Sequence, residues 1–539
     1  MESLHELEVI ILLLALVLAL TTIAQRIGIP YPIFLVLGGL VLGVVPGLPA
    51  VTLHPDLVFL VFLPPILWAA AYFTSLREFR QNLRPIALLA VGLVLATSAG
   101  VAVVAHALLP GIGWAAAIAL GAIVSPPDAV SATAIGKRLG IPRRVVTILE
   151  GESLVNDAMA LVLYRAAVGA VASGSFAPGG VALDFLFAAG AGVAIGVGIA
   201  WVARWALCVT EDGFTQIGIT LLAPYIAWVV AESVHASAVL ACVVGGLRMR
   251  QYFSGAVAPA TRLQARAVWE LLIFILNGVI FILIGLQLGA LRDAVPAGQF
   301  GPILIAGGLV SATVIAVRFI WVPLATLIPR WLSAALRARD PMPPWSGLFL
   351  ISWTGMRGIV TLAAALALPV TTSTGAPFPF RTEIILISFM VILVTLVLQG
   401  LSLPPILRLL RIEQDHGLER EETMAREHAA TAALNRLDQV MQENWATSEQ
   451  VERVRLPYSR RLERFARVGL AEDKAASGTN EVIQRLQHET LTAERMALIG
   501  LRNDGTISDE VLHHLEQELD VAALHLGVGE RRVERRNQN

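Results

Sequence analysis

Charge is scarce in this chain. Asp, Glu, Lys and Arg make up 15% of the 539 residues, hydrophobic residues make up 56%, and the mean hydropathy is +0.70. That balance exceeds what a soluble core needs, so an ordinary water-soluble domain is excluded and a polytopic membrane protein is expected. Cysteine is almost missing. Cys208 and Cys242 fall in or beside apolar runs, too few and too buried for a disulfide framework, and read as small packing residues. Neither sign of charge is in excess, the net charge being −1; this argues neither for nor against an anionic partner, and no nucleic-acid partner is expected. No G-x-G-x-x-G follows a strand, which sets aside a nucleotide-binding regulatory domain, and no cofactor is expected. The first apolar run has Glu2, Glu6 and Glu8 ahead of it, with no basic n-region or small-residue cleavage site. It reads as a retained span rather than a signal peptide.

What is abundant is apolar sequence of membrane-spanning length. Runs able to cross the roughly 30 Å hydrocarbon layer recur from residue 7 to residue 409, separated by short breaks that hold Gly, Pro or Arg. About thirteen spans are placed, at roughly 7–24, 30–47, 55–73, 84–109, 113–136, 143–171, 181–208, 213–233, 235–250, 267–290, 300–327, 345–370 and 381–409. The least defined division lies between the eighth and ninth, near Glu232 and His235.

The breaks alternate in charge. Arg26; then Arg77, Arg80 and Arg84; then Lys137, Arg138, Arg143 and Arg144 fall in every other break, followed by Arg204, by Arg248, Arg250, Arg262 and Arg266, and by Arg330, Arg337 and Arg339. The intervening breaks hold only Arg292 and Arg381. Cytoplasmic loops hold the basic residues, so an odd number of spans puts the N-terminus outside and the C-terminus in the cytoplasm of a plasma-membrane protein.

After Leu410 the composition changes to Glu, Arg, Gln, His and Ala with helical periodicity, as in Arg420-Glu421-Glu422-Thr423-Met424-Ala425-Arg426. The chain therefore divides into a transmembrane domain, 1–410, and a cytosolic helical domain, 411–539. Breaks at Leu456-Pro457, Ala476-Ser477-Gly478 and Asn503-Asp504-Gly505 suggest about four helices in the second. It holds His416, His428, His488, His513, His514 and His525. These fit a pH-sensing tail less well than a solvated helical surface.

Three constellations carry the chemistry. Ser125-Pro126-Pro127-Asp128 falls in the fifth span, where two prolines remove two helical donors and expose carbonyls upstream; the helix should break there, which is tolerated only where the backbone is buried or lines a wet cavity. In the sixth span, Glu152-Ser153-Leu154-Val155-Asn156-Asp157 puts Ser153 and Asp157 on one face with Asn156 beside them. A carboxylate at mid-membrane costs about 2.5–3.5 kcal/mol on insertion scales, so Asp157 is a functional candidate by default. Ser, Asn and Asp offer the hard oxygen ligands that replace water around an alkali cation. The third constellation, Ser352-Trp353-Thr354-Gly355-Met356-Arg357-Gly358, brackets an arginine with Gly355 and Gly358 in the twelfth span. A guanidinium this deep needs a buried carboxylate, for which Glu152 and Asp128 are the candidates, and a helix-locking ion pair is its leading role.

The fifth and twelfth spans occupy corresponding positions if two six-span repeats are offset by seven, and an odd offset means opposite orientation. Interrupted helices at matching positions of inverted repeats point to a secondary transporter with its site at the bilayer midplane. The expected fold is an all-α polytopic membrane protein, about thirteen transmembrane helices in two inverted repeats with crossed discontinuous helices, plus the cytosolic helical domain.

Phe62-Leu63-Pro64-Pro65-Ile66-Leu67, Pro127-Asp128, the Glu152–Asp157 segment, Phe274-Ile275-Leu276-Asn277-Gly278 and Gly355-Met356-Arg357-Gly358 appear in order over roughly residues 7–410. In these motifs the chain resembles bacterial cation/proton antiporters of the monovalent cation:proton antiporter-1 group, which also contains the eukaryotic sodium/proton exchangers. The tail is similar to the cytosolic helical domain of one bacterial branch, around Glu494-Arg495 and Glu518-Leu519-Asp520. The resemblance implies a homodimer whose core domain carries the crossed fifth and twelfth helices and moves against a dimerisation domain. It implies that Asp157 binds proton and cation alternately, that Asn156, Ser153 and Asp128 line the site, and that Glu152 and Arg357 form the structural ion pair. Asn156 before the key aspartate goes with electroneutral exchange in this group. Two positions depart from the pattern. Trp68-Ala69-Ala70-Ala71 stands where relatives often carry an acid, and Pro127-Asp128-Ala129 replaces Thr-Asp-Pro. Both bear on cation selectivity more than on antiport.

The residues supply an exchange chemistry of their own. Protonated Asp157 has no charge for a cation, and cation-bound Asp157 disfavours the proton; if the site reorients only when one ligand is bound, the two fluxes are obligatorily opposed. One exchangeable carboxylate predicts one cation per proton, Na⁺ or else K⁺ or Li⁺, unless Asp128 titrates as well. The main alternative is a monovalent cation channel with proton-sensitive gating, which would carry current without proton counterflow. An intramembrane aspartyl protease would show Gly-x-Gly-Asp, whereas Asp128 follows Pro126-Pro127. A non-transporting sensor would signal through the tail.

Overall fold

The computed structural model describes residues 2–44, 55, 58–128, 141–173, 178–293, 300–372, 375–410, 417–443 and 446–470, with 493–494, 496–498, 500, 504 and 515. The chain divides into two compact units, Met1–Asp415 and His416–Asn539.

The first unit is helical. Its elements are α1 (Glu2–Ile27), α2 (Tyr31–Val44), α3 (Val58–Phe73), α4 (Leu76–Gln81), α5 (Leu83–Leu108), α6 (Trp114–Val124), α7 (Arg143–Ser173), α8 (Pro178–Val209), α9 (Gly213–Ser233), α10 (Ala238–Ala256), α11 (Pro259–Asp293), α12 (Phe300–Leu332), α13 (Ala334–Arg339), α14 (Trp345–Trp353), α15 (Ile359–Leu366) and α16 (Arg381–Leu409). Among the described residues, α5, α7, α8, α9, α11, α12 and α16 are long and apolar enough to cross a membrane. The sole extended pairing described is an isolated bridge between Thr371 and Pro377.

Helix boundaries follow local chemistry. Asp212 starts α9 by accepting from the Thr215 N–H at 2.7 Å, and Ser237 starts α10 by accepting from the Leu240 N–H at 3.3 Å. His235, at φ 57°, makes the turn between those two helices. Cys242 is buried, as a small packing residue should be. Cys208 instead faces outward from α8, where an apolar surface in lipid accommodates it as readily as a core.

The helices of this unit fall into two packing groups. One comprises α1, α2, α3, α8, α9, α10 and α11; the other comprises α5, α6, α7, α12, α14, α15 and α16. They meet along α7, which touches α3 and α10 as well as α6, and where α11 touches α15. The tightest seam within the first group is α2 on α11. A Cβ on Gly39 would collide with the Ile282 carbonyl, and one on Gly285 with the Val36 carbonyl. Lipid offers no hydrophobic drive to join helices, so close backbone approach supplies the contact. Gly39→Leu should therefore destabilise the protein by about 1–3 kcal/mol or more. Gly218→Ala, where an added Cβ meets nothing within 4 Å, should leave thermal unfolding in detergent nearly unchanged, and equal melting of the two variants would refute the packing argument.

The second unit contains α17 (Gly417–Glu443) and α18 (Ser448–Leu470), packed against each other. The break expected at Leu456-Pro457 is absent, since α18 runs through Pro457. The chain divides earlier, where Thr447 and Gln450 cap reciprocally. The Gln450 N–H donates to the Thr447 hydroxyl and the Thr447 N–H donates to the Gln450 side chain at 2.9 Å. Residues 476–478 lie outside the described residues, and of 503–505 only Asp504 is described, in a turn. Of the tail histidines only His428 is described, and it is exposed.

Candidate ion site at two broken helices

Both expected breaks are present among the described residues, and the two broken segments meet; residues 129–140 lie outside the described residues. α6 stops at Val124, ahead of Pro126 and Pro127. α14 stops at Trp353, and residues 354–358 run non-helically into α15. The Asp128 N–H donates to the Met356 carbonyl at 2.6 Å, tying one broken segment to the other. Gly358 makes this approach feasible, because a Cβ there would come within 2.8 Å of the Asp128 Cβ.

Breaking a helix strands its last carbonyls. The Val124 carbonyl would ordinarily accept from the Asp128 N–H, which is committed to Met356. Arg357 fills the gap. Its Nε donates to the Val124 carbonyl at 3.0 Å, one terminal nitrogen donates to the Ser125 carbonyl at 3.3 Å, and the other donates to the Gly355 carbonyl. Its own N–H donates to the Thr395 hydroxyl at 3.1 Å. Positive charge at a helix C-terminus also complements the macrodipole.

This corrects the expected ion pair. Glu152 does not take Arg357; it takes Arg318 of α12, whose terminal nitrogens donate to Oε1 at 2.5 Å and Oε2 at 2.7 Å. Both side chains are fully buried. Arg318 Nε also donates to the Ile351 carbonyl at 2.9 Å, which α14 leaves free because the Gly355 N–H turns back to Trp353. Arg357 and Arg318 thus each cap one truncated helix, and the bidentate geometry to Glu152 belongs to Arg318.

Asn156, Asp157 and Ser153 reach this junction from α7. Asn156 is buried, and its Nδ2 donates to the Pro127 carbonyl at 3.2 Å. Its Oδ1 has no hydrogen-bond partner among the described residues. A chamber of about 20 Å³ is bounded by Pro126, Pro127, Asp128, Ser153, Asp157 and Gly358, with α15 residues completing the wall. That volume holds one water-sized species. A second cavity of about 260 Å³ adjoins it and includes Asp128, Ser153 and Asp157 in its wall. It extends along α7 to Glu150 and along α3 to Phe73, towards the arginine-bearing start of α7 and the end of α3 that precedes Arg77 and Arg80 of α4. Its charged lining residues are Asp128, Glu150 and Asp157, all carboxylates.

The comparisons with known proteins agree with this architecture. The transmembrane sodium/hydrogen exchanger family matches residues 11–409. The chain belongs to that family. A protein of Mycobacterium tuberculosis named as an uncharacterised Na⁺/H⁺ exchanger is 36% identical to this exchanger over 535 residues, 96% of each chain. The sodium, potassium, lithium and rubidium/H⁺ antiporter of Bacillus subtilis is 31% identical over 414 residues, 73% of this chain and 60% of that protein. The solved structure of the sodium proton antiporter MjNhaP1 from Methanocaldococcus jannaschii at pH 8 aligns with a TM-score of 0.59 over 76% of this chain and 100% of that one. At 19% identity that likeness is one of fold. The family is one of transporters rather than enzymes.

Arg318 is the residue of this exchanger that sequence reasoning missed. It stands alone in Val317-Arg318-Phe319, inside the apolar run 300–327. A charge at that depth is itself a signal, and it was available from the sequence.

Proposed function

We propose that this exchanger carries a monovalent cation against H⁺ across the plasma membrane, electroneutrally, by alternating access with competitive binding at Asp157. The observation that carries the reading is the shared chamber, where the Asp157 and Asp128 carboxylates and the Ser153 hydroxyl border a space for one small ion beside the broken backbone. Asn156, anchored on the Pro127 carbonyl, holds the junction in register. Na⁺ is the first candidate cargo, with K⁺ and Li⁺ as further ones. Asp157 accepts either the proton or the cation, Asp128 and Ser153 supply oxygen ligands, and reorientation of the core helices moves whichever is bound. The cavity leading to Glu150 is the cytoplasmic entrance in this reading, with the N-terminus outside, the C-terminus in the cytoplasm and a homodimer as the assembly. Cation-coupled proton movement of this kind serves pH homeostasis.

The test uses proteoliposomes with an imposed pH gradient, to which Na⁺, K⁺ or Li⁺ is added in turn. Cation-triggered collapse of the gradient at an unchanged rate with the membrane potential clamped is the expected result, and the effective ion names the cargo. Cation current without proton counterflow would overturn the exchange mechanism. A rate that follows the imposed potential would overturn electroneutrality alone.

A further inference from the structure

A larger cavity, of about 360 Å³, lies in the second helix group away from the Asp157 chamber. Its mouth carries Arg84 at the start of α5, Arg144 at the start of α7, Arg330 near the end of α12 and Asp340 after α13. Deeper in, the wall is apolar and includes Leu89, Ile148 and Leu348. Three guanidinium groups face one carboxylate. Asp340 accepts from Arg144 at 2.7 Å and from Arg330 at 2.5 Å, so the mouth retains an excess of positive charge with both Asp340 oxygens engaged. Arg84 forms no hydrogen bond among the described residues; it lies within electrostatic reach of Asp340 and Arg330, and it is partly exposed. These arginines lie in the breaks that the positive-inside bias assigns to the cytoplasm, where lipid headgroups would meet them.

The cavity borders the lipid-facing surface. Ile328, one turn from the lining residue Ala325 on the same side of α12, is 46% exposed, and the lining residues Leu88 and Ala325 are themselves part-exposed. An apolar depth below a cationic mouth, beside a surface that lipid covers, fits an amphiphile with an anionic head. A small soluble anion would leave the apolar depth unfilled, and a neutral lipid would leave the arginines uncompensated. We propose that this cavity is a binding site for one anionic glycerophospholipid of the inner leaflet, its phosphate taken by Arg84 with Arg144 and Arg330, and part of an acyl chain lying against Leu89, Ile148 and Leu348. The occupant lies close to the ion-pair scaffold, because Ile351 both lines the cavity and accepts from Arg318.

The test measures lipid retention on the full-length protein and is independent of whether the exchanger reading holds. Delipidated protein in neutral detergent is incubated with phosphatidylglycerol or phosphatidylcholine, and bound lipid is counted by native mass spectrometry. Phosphatidylglycerol should be retained in preference, at one molecule per chain. Arg84→Gln should weaken retention about tenfold, the order expected for losing one charge-assisted hydrogen bond, and Arg84→Lys should restore most of it. Ala325→Trp, which fills the cavity without altering charge, should weaken it as well, and this decides the matter if Arg84→Gln does not fold. Inorganic phosphate at millimolar concentration should not displace the lipid; displacement would show a simple anion site and overturn the amphiphile. Equal retention of phosphatidylcholine, or full retention by both Arg84→Gln and Ala325→Trp, would also overturn it.

Discussion

Asp157→Asn is expected to reduce cation-dependent proton flux to the level of protein-free vesicles while the protein still folds. Asparagine has nearly the same shape, so the chamber persists. What disappears is the carboxylate proposed to be either protonated or cation-bound. Two unit charges 4 Å apart at an effective dielectric of about 20 attract by about 4 kcal/mol. Loss of that attraction weakens cation binding by roughly three decades. The effect on coupling is larger still, because the amide cannot carry a proton through the cycle. Asp128→Asn should behave differently. The junction depends on the Asp128 backbone N–H, bonded to the Met356 carbonyl, and an asparagine keeps that bond. Residual exchange with a raised half-saturating cation concentration is expected there. The measurement is proton flux in proteoliposomes at several cation concentrations for both variants. Undiminished flux in Asp157→Asn would remove Asp157 from the mechanism, and identical loss in both variants would make the two carboxylates one inseparable unit.

The positions of the breaks were legible because proline acts on its own neighbours. Pro126 and Pro127 lack N–H groups, and α6 ends ahead of them. The same reasoning failed at Pro457, where α18 continues. That proline sits in a helix packed along α17, and the reciprocal cap at Thr447 and Gln450 had already marked the start of the helix. The joining of Asp128 and Asp157 in one chamber was legible too, since the loop between their spans is short. The partner of Glu152 was not. Arg318 and Arg357 are both buried guanidiniums, and sequence spacing gives no means of ranking them. The choice between them is tertiary. Asp128 donates its N–H to Met356, which leaves the Val124 carbonyl for Arg357, and Arg318 lies across from Glu152 with its Nε on Ile351. The excess of arginine over carboxylate at the mouth of the larger cavity is equally tertiary, since Arg84, Arg144 and Arg330 come from three separate helices.

The pairing of Glu152 with Arg318 makes a quantitative expectation about stability. Glu152→Gln leaves the Arg318 guanidinium buried without a counter-charge, and Arg318→Met leaves the Glu152 carboxylate buried alone. Each should destabilise the protein by about 3–5 kcal/mol, the usual consequence of breaking one side of a buried pair. The double variant removes both charges and should recover most of that loss. It stays short of the parent because the Ile351 carbonyl loses its donor, at about 1–3 kcal/mol. The coupling, read as the difference between the double variant and the sum of the singles, should therefore be strongly favourable. Arg357 supplies the contrast. Arg357→Met strands the carbonyls of Val124, Ser125 and Gly355, and the loss should be severe, yet combining it with Glu152→Gln should compensate far less than the Arg318 pair does, because Arg357 meets Glu152 through charge alone and shares no hydrogen bond with it. Thermal unfolding of the purified variants in one detergent measures all five proteins against the parent. Compensation appearing with Arg357 and absent with Arg318 would return the ion pair to the arrangement expected from the motifs. Compensation mainly with Arg318 makes α12 the element that locks α7 in place, so that any movement of the Asp157 chamber carries α12 with it.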